Sequence, residues 1–127
     1  MVSSAVGMPR DVVFVDGVRT PFGKAGSRYA NTRADDLVVK VFRELLRRNP
    51  GLPPARIDDV AVAATTQMGD QGMTIGRTAS LLAGIPNSVP GYSVDRMCAG
   101  AMTAVTTLSS AIMAGAYDIA LAGGVEN

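Results

Sequence analysis

The sequence predicts an α/β protein built on a mostly parallel sheet, and three observations predict it. Short β-branched or apolar runs alternate with longer segments of helical period. Glycines and prolines fall between these segments rather than in a low-complexity tract, so they act as turn punctuation. The chain has 127 residues, 47% of them hydrophobic, which suits one core and a single domain over 1–127 without an internal repeat.

Val12 to Val15 is β-branched and aromatic and ends near Gly17, the pattern of a short buried strand. Arg19 to Lys24 follows as a loop, in which Arg19 is expected to pair with a carboxylate or with loop carbonyls. Leu37, Val38, Val41, Phe42, Leu45 and Leu46 then recur at helical spacing, with Lys40, Arg43, Glu44, Arg47 and Arg48 on the opposite face. Thr32 is the expected N-cap, Asp35 and Asp36 suit the positive end of the dipole, and Pro50-Gly51 stops the helix.

Val60 to Ala64 is apolar on both faces, as a strand covered from both sides would be. A polar loop, Thr65 to Gly72, leads to a second helix from about Thr74 to Ala83, closed by Gly84 and Pro86. Val89 to Asp95 reads as a strand with Tyr92 and Val94 on one face, and its unlike faces fit an edge or an interface. Met97 to Tyr117 carries no charge and is rich in small residues, which predicts a helix buried all round. Its hydroxyls, from Thr103 to Ser110, and the absence of a basic flank argue against a membrane span. Ile119 to Ala122 is the last strand and leads into Gly123-Gly124-Val125-Glu126-Asn127.

Twelve basic against eleven acidic residues leave a formal charge of +1, no footprint for nucleic acid or an anionic membrane. Met1 to Arg10 lacks a secretory pattern and one cysteine builds no disulfide framework, so a reducing, cytoplasmic setting is expected. The chain has no histidine, so it supplies neither an imidazole base nor an imidazole metal ligand.

In sheets of this class chemistry collects where strands end and helices begin, and the junction that stands out is Asp95-Arg96-Met97-Cys98. A cysteine in the first turn of a helix faces unpaired backbone N–H groups and the positive end of the dipole. The same donors suit the negative charge that develops on a thioester oxygen under attack. Taken alone, Cys98 fits a small buried hydrophobe as well as a nucleophile. Asp70, Arg77 and Glu126 fit solvated or interface roles better than a site, and Gly123-Gly124 fits a tight turn rather than a dinucleotide loop.

Several segments taken together carry a more specific message. Val18-Arg19-Thr20-Pro21-Phe22-Gly23-Lys24 resembles the opening motif of the thiolase family. Gln71-Gly72 through Ile75-Gly76-Arg77, then Leu82-Ala83-Gly84-Ile85-Pro86, resembles that family's first-half helix and its exit. Val94 to Ala104 is similar to its nucleophile segment, and Leu121-Ala122-Gly123-Gly124-Val125-Glu126 to the strand end that follows. The likeness runs along nearly the whole chain, in order and in register.

The resemblance implies a thiolase-like fold of which this chain is the N-terminal half-domain, incomplete, with the loop domain and C-terminal half absent. It implies that the helix after the nucleophile lies between two sheets, and that the strand at Gly91 to Asp95 pairs with its twin in a homodimer or homotetramer. It assigns Cys98 as the acyl-bearing residue, acyl-coenzyme A and coenzyme A as substrates, coenzyme A acting as co-substrate, and no bound cofactor or metal. Thiolases complete their chemistry with a histidine, a second cysteine and an asparagine from later segments, so this chain alone is expected to be inactive. One departure is local: Gly100 and Ala101 stand where family members commonly carry serine and glycine. Two alternatives stay open, a condensing enzyme of the ketoacyl synthase type and a non-catalytic acyl-binding or assembly domain.

Overall fold

The computed structural model describes residues 9–127, so most of the Met1 to Arg10 segment lies outside the described residues. Strand β1 (Asp59–Ala63) forms the middle of a three-stranded sheet. It is flanked by β2 (Tyr92–Val94) and β3 (Ala120–Gly124), and both pairings are parallel. The register sets Ala61 beside Tyr92 on one side and beside Ala122 on the other. Each crossover carries a helix, as parallel neighbours require: α2 (Ile75–Ala83) lies between β1 and β2, and α3 (Gly100–Met113) between β2 and β3.

Alternation along β1 divides the interior into two parts. Val60 and Val62 join Val38, Phe42, Ile75 and Val89 in a cluster that α1 (Ala34–Arg48) and α2 close. Ala61 faces the other way and meets Ala104 and Leu108 of α3. All five residues of β1 are buried, in agreement with its two-sided apolar sequence.

Helix α1 has the acidic first turn and basic last turn that complement its dipole. Its N-cap is Arg33 rather than Thr32, and the Arg33 side chain makes no capping bond. The free N–H of Ala34 is taken instead by the Asp70 carboxylate, 2.7 Å away. A carboxylate delivered by a distant loop is a stronger acceptor at a helix start than a local hydroxyl, which explains the displacement of the cap. Helix α2 ends as expected at Gly84, whose φ of 94° is the left-handed conformation glycine adopts freely. Gly76 is glycine for a different reason: a Cβ there would collide with the Tyr92 carbonyl.

Three expectations are corrected. Residues 12–15 form no strand. The segment is anchored at its ends, where the Arg10 N–H donates to the Met113 carbonyl, Arg10 pairs with Asp118, and Asp16 binds Asn49 and Arg48. Between those anchors Val13, Phe14 and Val15 are exposed. β-propensity describes how a side chain fits a paired sheet, and this run has no paired neighbour among the described residues. Second, the strand expected over Val89 to Asp95 is only Tyr92–Val94, because Val89 and Pro90 belong to the turn that follows α2.

Third, the helix after Cys98 is not buried all round. It begins at Gly100, ends at Met113, and buries only Gly100, Ala104 and Leu108, a single stripe at intervals of four. Met102, Val105 and Met113 are exposed. An uncharged sequence marks a helix that tolerates burial, but the described residues include only one layer for it to pack on. Among them no helix is long and apolar enough to cross a membrane.

Candidate active site

The C-terminal ends of the three strands converge around Ala63. The Ala64 N–H donates to the Val94 carbonyl at 3.1 Å, and the Val125 N–H donates to the Ala63 carbonyl at 2.9 Å. On this platform the chain leaves β2 through Asp95 and Arg96 and turns over Met97, Cys98 and Ala99 into α3. Cys98 therefore sits in a 3₁₀ turn ahead of the α-helix, not in the helix's own first turn as the sequence suggests. Its side chain is exposed.

Two features hold that turn. The Asp95 carboxylate accepts the Met97 N–H at 3.1 Å, a side-chain turn of the kind Asp favours. Met97 itself has φ of 47°, a left-handed conformation that costs a non-glycine residue about 1–2 kcal/mol. Backbone strain of this kind persists where the surroundings fix it and collects at functional turns. Close packing fixes it here: a Cβ on Gly100 would stand 2.7 Å from the Ala63 Cβ, and one on Gly124 2.9 Å from the Ala101 Cβ.

That packing gives the family departure a physical meaning. At Gly100, where the resemblance leads one to expect serine, the helix sits directly against Ala63, which leaves no room for a larger residue without movement. The methyl of Ala101, in turn, faces a glycine on β3.

The donor set around the thiol differs from expectation. The N–H groups of Met97, Ala99 and Gly100 are already paired, with the Asp95 carboxylate, the Arg96 carbonyl and the Met97 carbonyl respectively. Backbone N–H groups from this turn thus supply fewer free donors for a substrate oxygen than a strand-to-helix junction suggests. The nearby cation is also partly committed, because Arg96 reaches Thr103 Oγ1 at 3.4 Å.

The remaining sequence candidates fall elsewhere. Arg19 pairs with no carboxylate among the described residues; its guanidinium lies 4.5 Å from the centre of the Phe22 ring. Arg77 donates to the carbonyls of Val89 and Asn87 and so pins the turn between α2 and β2. Asp70 caps α1. Glu126 accepts the Thr65 N–H and the Gln71 side-chain amide, both at 2.9 Å, and these bonds hold its carboxyl below the usual range. Gln71 is buried, and in the sequence only its place in a motif marks it. A groove of about 880 Å³ opens between the Val18 to Lys24 loop, α1 and the outer edge of β3, and Cys98 is not part of its wall.

Comparison with known proteins places this geometry. Residues 12–127 match the family model described as thiolase, N-terminal domain. A 3-ketoacyl-CoA thiolase of Saccharophagus degradans is 46% identical over 120 residues, which are 94% of this chain and 31% of the relative. A beta-ketoadipyl-CoA thiolase of Pseudomonas aeruginosa is 42% identical over 120 residues, 94% of this chain and 30% of the relative. Among solved structures, the Bacillus anthracis acetyl-CoA acetyltransferase superposes with a TM-score of 0.81 at 34% identity, covering 87% of this chain and 28% of that one. The chain thus spans about a third of the length of these relatives. Fold and family model agree, and the chain belongs to the thiolase family, whose N-terminal domain it matches over nearly its full length.

Proposed function

We propose that this chain carries the acylation half-site of an acyl-CoA C-acyltransferase, with Cys98 as the nucleophile. The observation that carries the reading is the exposed thiol on a strained turn at the strand ends, inside the segment that matches the family. In the degradative direction the Cys98 sulfur attacks the 3-keto carbon of a 3-ketoacyl-CoA. The bond between the second and third carbons breaks, and its electron pair leaves on acetyl-CoA, which takes up a proton. The acyl group remains as a thioester on Cys98 and passes to the sulfur of free coenzyme A, which regenerates the thiol. The reverse sequence condenses two acetyl units.

The names of the relatives, which act on 3-ketoacyl or beta-ketoadipyl thioesters, favour a 3-ketoacyl-CoA substrate. Coenzyme A serves as co-substrate, with no bound cofactor. A cytoplasmic setting fits the single free cysteine. The assembly proposed is a homodimer or homotetramer through residues 91–95. It is supported by the outer edge of β2 and by the buried Ser93 hydroxyl, neither of which has a partner among the described residues.

Intact mass after incubation with acetyl-CoA tests the reading. Full turnover is not expected of this chain alone, and the test reads the first half-reaction only: one acetyl group on the wild-type chain, absent from Cys98→Ala, is the expected outcome, and acetylation of both, or of neither, contradicts it.

A further inference from the structure

The loop that follows β1 and the segment that follows β3 are locked together by one buried amide and one carboxylate. Gln71 is 5% exposed and lies on a short 3₁₀ turn, Gly69–Gln71. Its Nε2 donates to the Thr66 carbonyl at 3.0 Å and to Glu126 Oε1 at 2.9 Å. Its Oε1 accepts the Asn127 N–H at 2.6 Å. The second oxygen of Glu126 accepts the Thr65 N–H at 2.9 Å. Both hydrogens and the oxygen of the amide are therefore used, and both carboxylate oxygens are used.

The position of this lock gives it a consequence for the thiol. Thr65 directly follows Ala63 and Ala64, the residues on which the other strand ends rest. Ala64 binds Val94, four residues before Cys98, and Ala63 binds Val125, the residue before Glu126. The start of α3 also stands on Ala63 through Gly100, with no space to spare. A shift of residues 63–65 therefore moves both ends of the Cys98 turn, its entry from β2 and its exit into α3.

We propose that Glu126 and Gln71 are positioning residues for the Cys98 turn: by fixing Thr65, Thr66 and Asn127 they hold residues 63–65 in the one place from which the turn presents its thiol. This rests on the reading of Cys98 as the nucleophile, but its test needs no acyl-coenzyme A. The pair acts as a unit, so loss of either member undoes it. Exchange of the two side chains keeps the amide-to-carboxylate bond between positions 71 and 126 and leaves acceptors for the Thr65 and Asn127 N–H groups, while the donation from position 71 to the Thr66 carbonyl is lost.

The experiment is the rate of alkylation of Cys98 by iodoacetamide at fixed neutral pH. It compares the wild-type chain with Gln71→Ala, Glu126→Ala and the double exchange Gln71→Glu with Glu126→Gln. Far-UV circular dichroism confirms that each variant is folded. Each single variant is expected to lower the rate by about threefold or more, and the exchange to return it part of the way, since the bond to Thr66 is not restored. A purely structural lock would lower the melting temperature and leave the rate of the folded chain unmoved, and that result overturns the proposal. An exchange no nearer to wild type than the single variants overturns it as well. Should an alanine variant fail to fold, Glu126→Gln alone, which keeps size and the Thr65 bond, is expected to change the rate in the same direction, and an unchanged rate overturns the proposal. A flat alkylation series leaves acetyl transfer to Cys98 standing, whereas failure of that transfer leaves the alkylation result readable.

Discussion

The two faces of the sheet are unlike. On the face of Val60 and Val62, helices α1 and α2 close a cluster of ten buried apolar residues. On the opposite face α3 joins a cluster of three, and the rest of the helix faces outward. The sequence differs in the same sense, since α1 carries a charged outer face and α3 carries none. A helix with one solvated side usually carries charges there, as α1 does, whereas the exposed side of α3 carries only apolar and hydroxyl groups. The first face holds the fold together, and the second carries the thiol turn.

Substitutions on the two faces sharpen or break this contrast. Phe42→Ala, in the closed cluster, is expected to cost about 3–5 kcal/mol by urea titration. Leu108→Ala, at an equally buried position in the open cluster, should cost about 2 kcal/mol, because its surroundings are free to collapse into the gap. Equal losses at the two positions would mean that the α3 face is as well packed as the other.

Gly100→Ser should cost about 1–2 kcal/mol through overpacking against Ala63. Thermal melting reads this change, and a neutral result would show that α3 has room to move.

Acid sensitivity gives a smaller effect on the edge where the two faces meet. Asp58 accepts the Ile119 and Asp118 N–H groups at the start of β3, and these bonds lower its pKa. Its stabilising contribution is present above the ordinary carboxylate value of about 4 and is lost as pH falls through the lower folded value. Asp58→Asn should therefore flatten the fall in melting temperature below that range, and an unchanged pH profile would assign acid lability to other carboxylates.

The smallest effect is expected on the outer face of α3. Val105→Glu should change stability by no more than about 0.5 kcal/mol, because the side chain is already exposed. The same change should reduce self-association of the isolated chain in sedimentation experiments, since it interrupts an apolar patch. A large loss of stability would show that this face is covered within the chain.

Local pattern made some elements legible and left others hidden. The amphipathic period and end charges of α1, the two-sided apolar run of β1 and the Gly84 stop of α2 are all written within a few residues of where they act. Residues 12–15 have the composition of a strand, but a strand is a pairing and its partner is not in that run. For α3 the missing charges predict burial all round, whereas the helix buries only the stripe of Gly100, Ala104 and Leu108. The Cys98 turn was visible as a strand-to-helix junction, yet its paired donors and the left-handed Met97 depend on backbone geometry that composition does not specify. Nothing local joins Gln71 to Glu126, which meet across 55 positions of sequence.

The most direct test of the account is the initial rate of Cys98 acetylation by acetyl-CoA, followed by intact mass in the folded chain and in the same chain unfolded in urea, with Cys98→Ala as the blank. If the folded turn presents the thiol for acyl transfer, the folded chain acetylates faster at equal pH. Equal rates, or a faster unfolded chain, would show that Cys98 reacts as an ordinary thiol and that the turn has no part in acyl transfer.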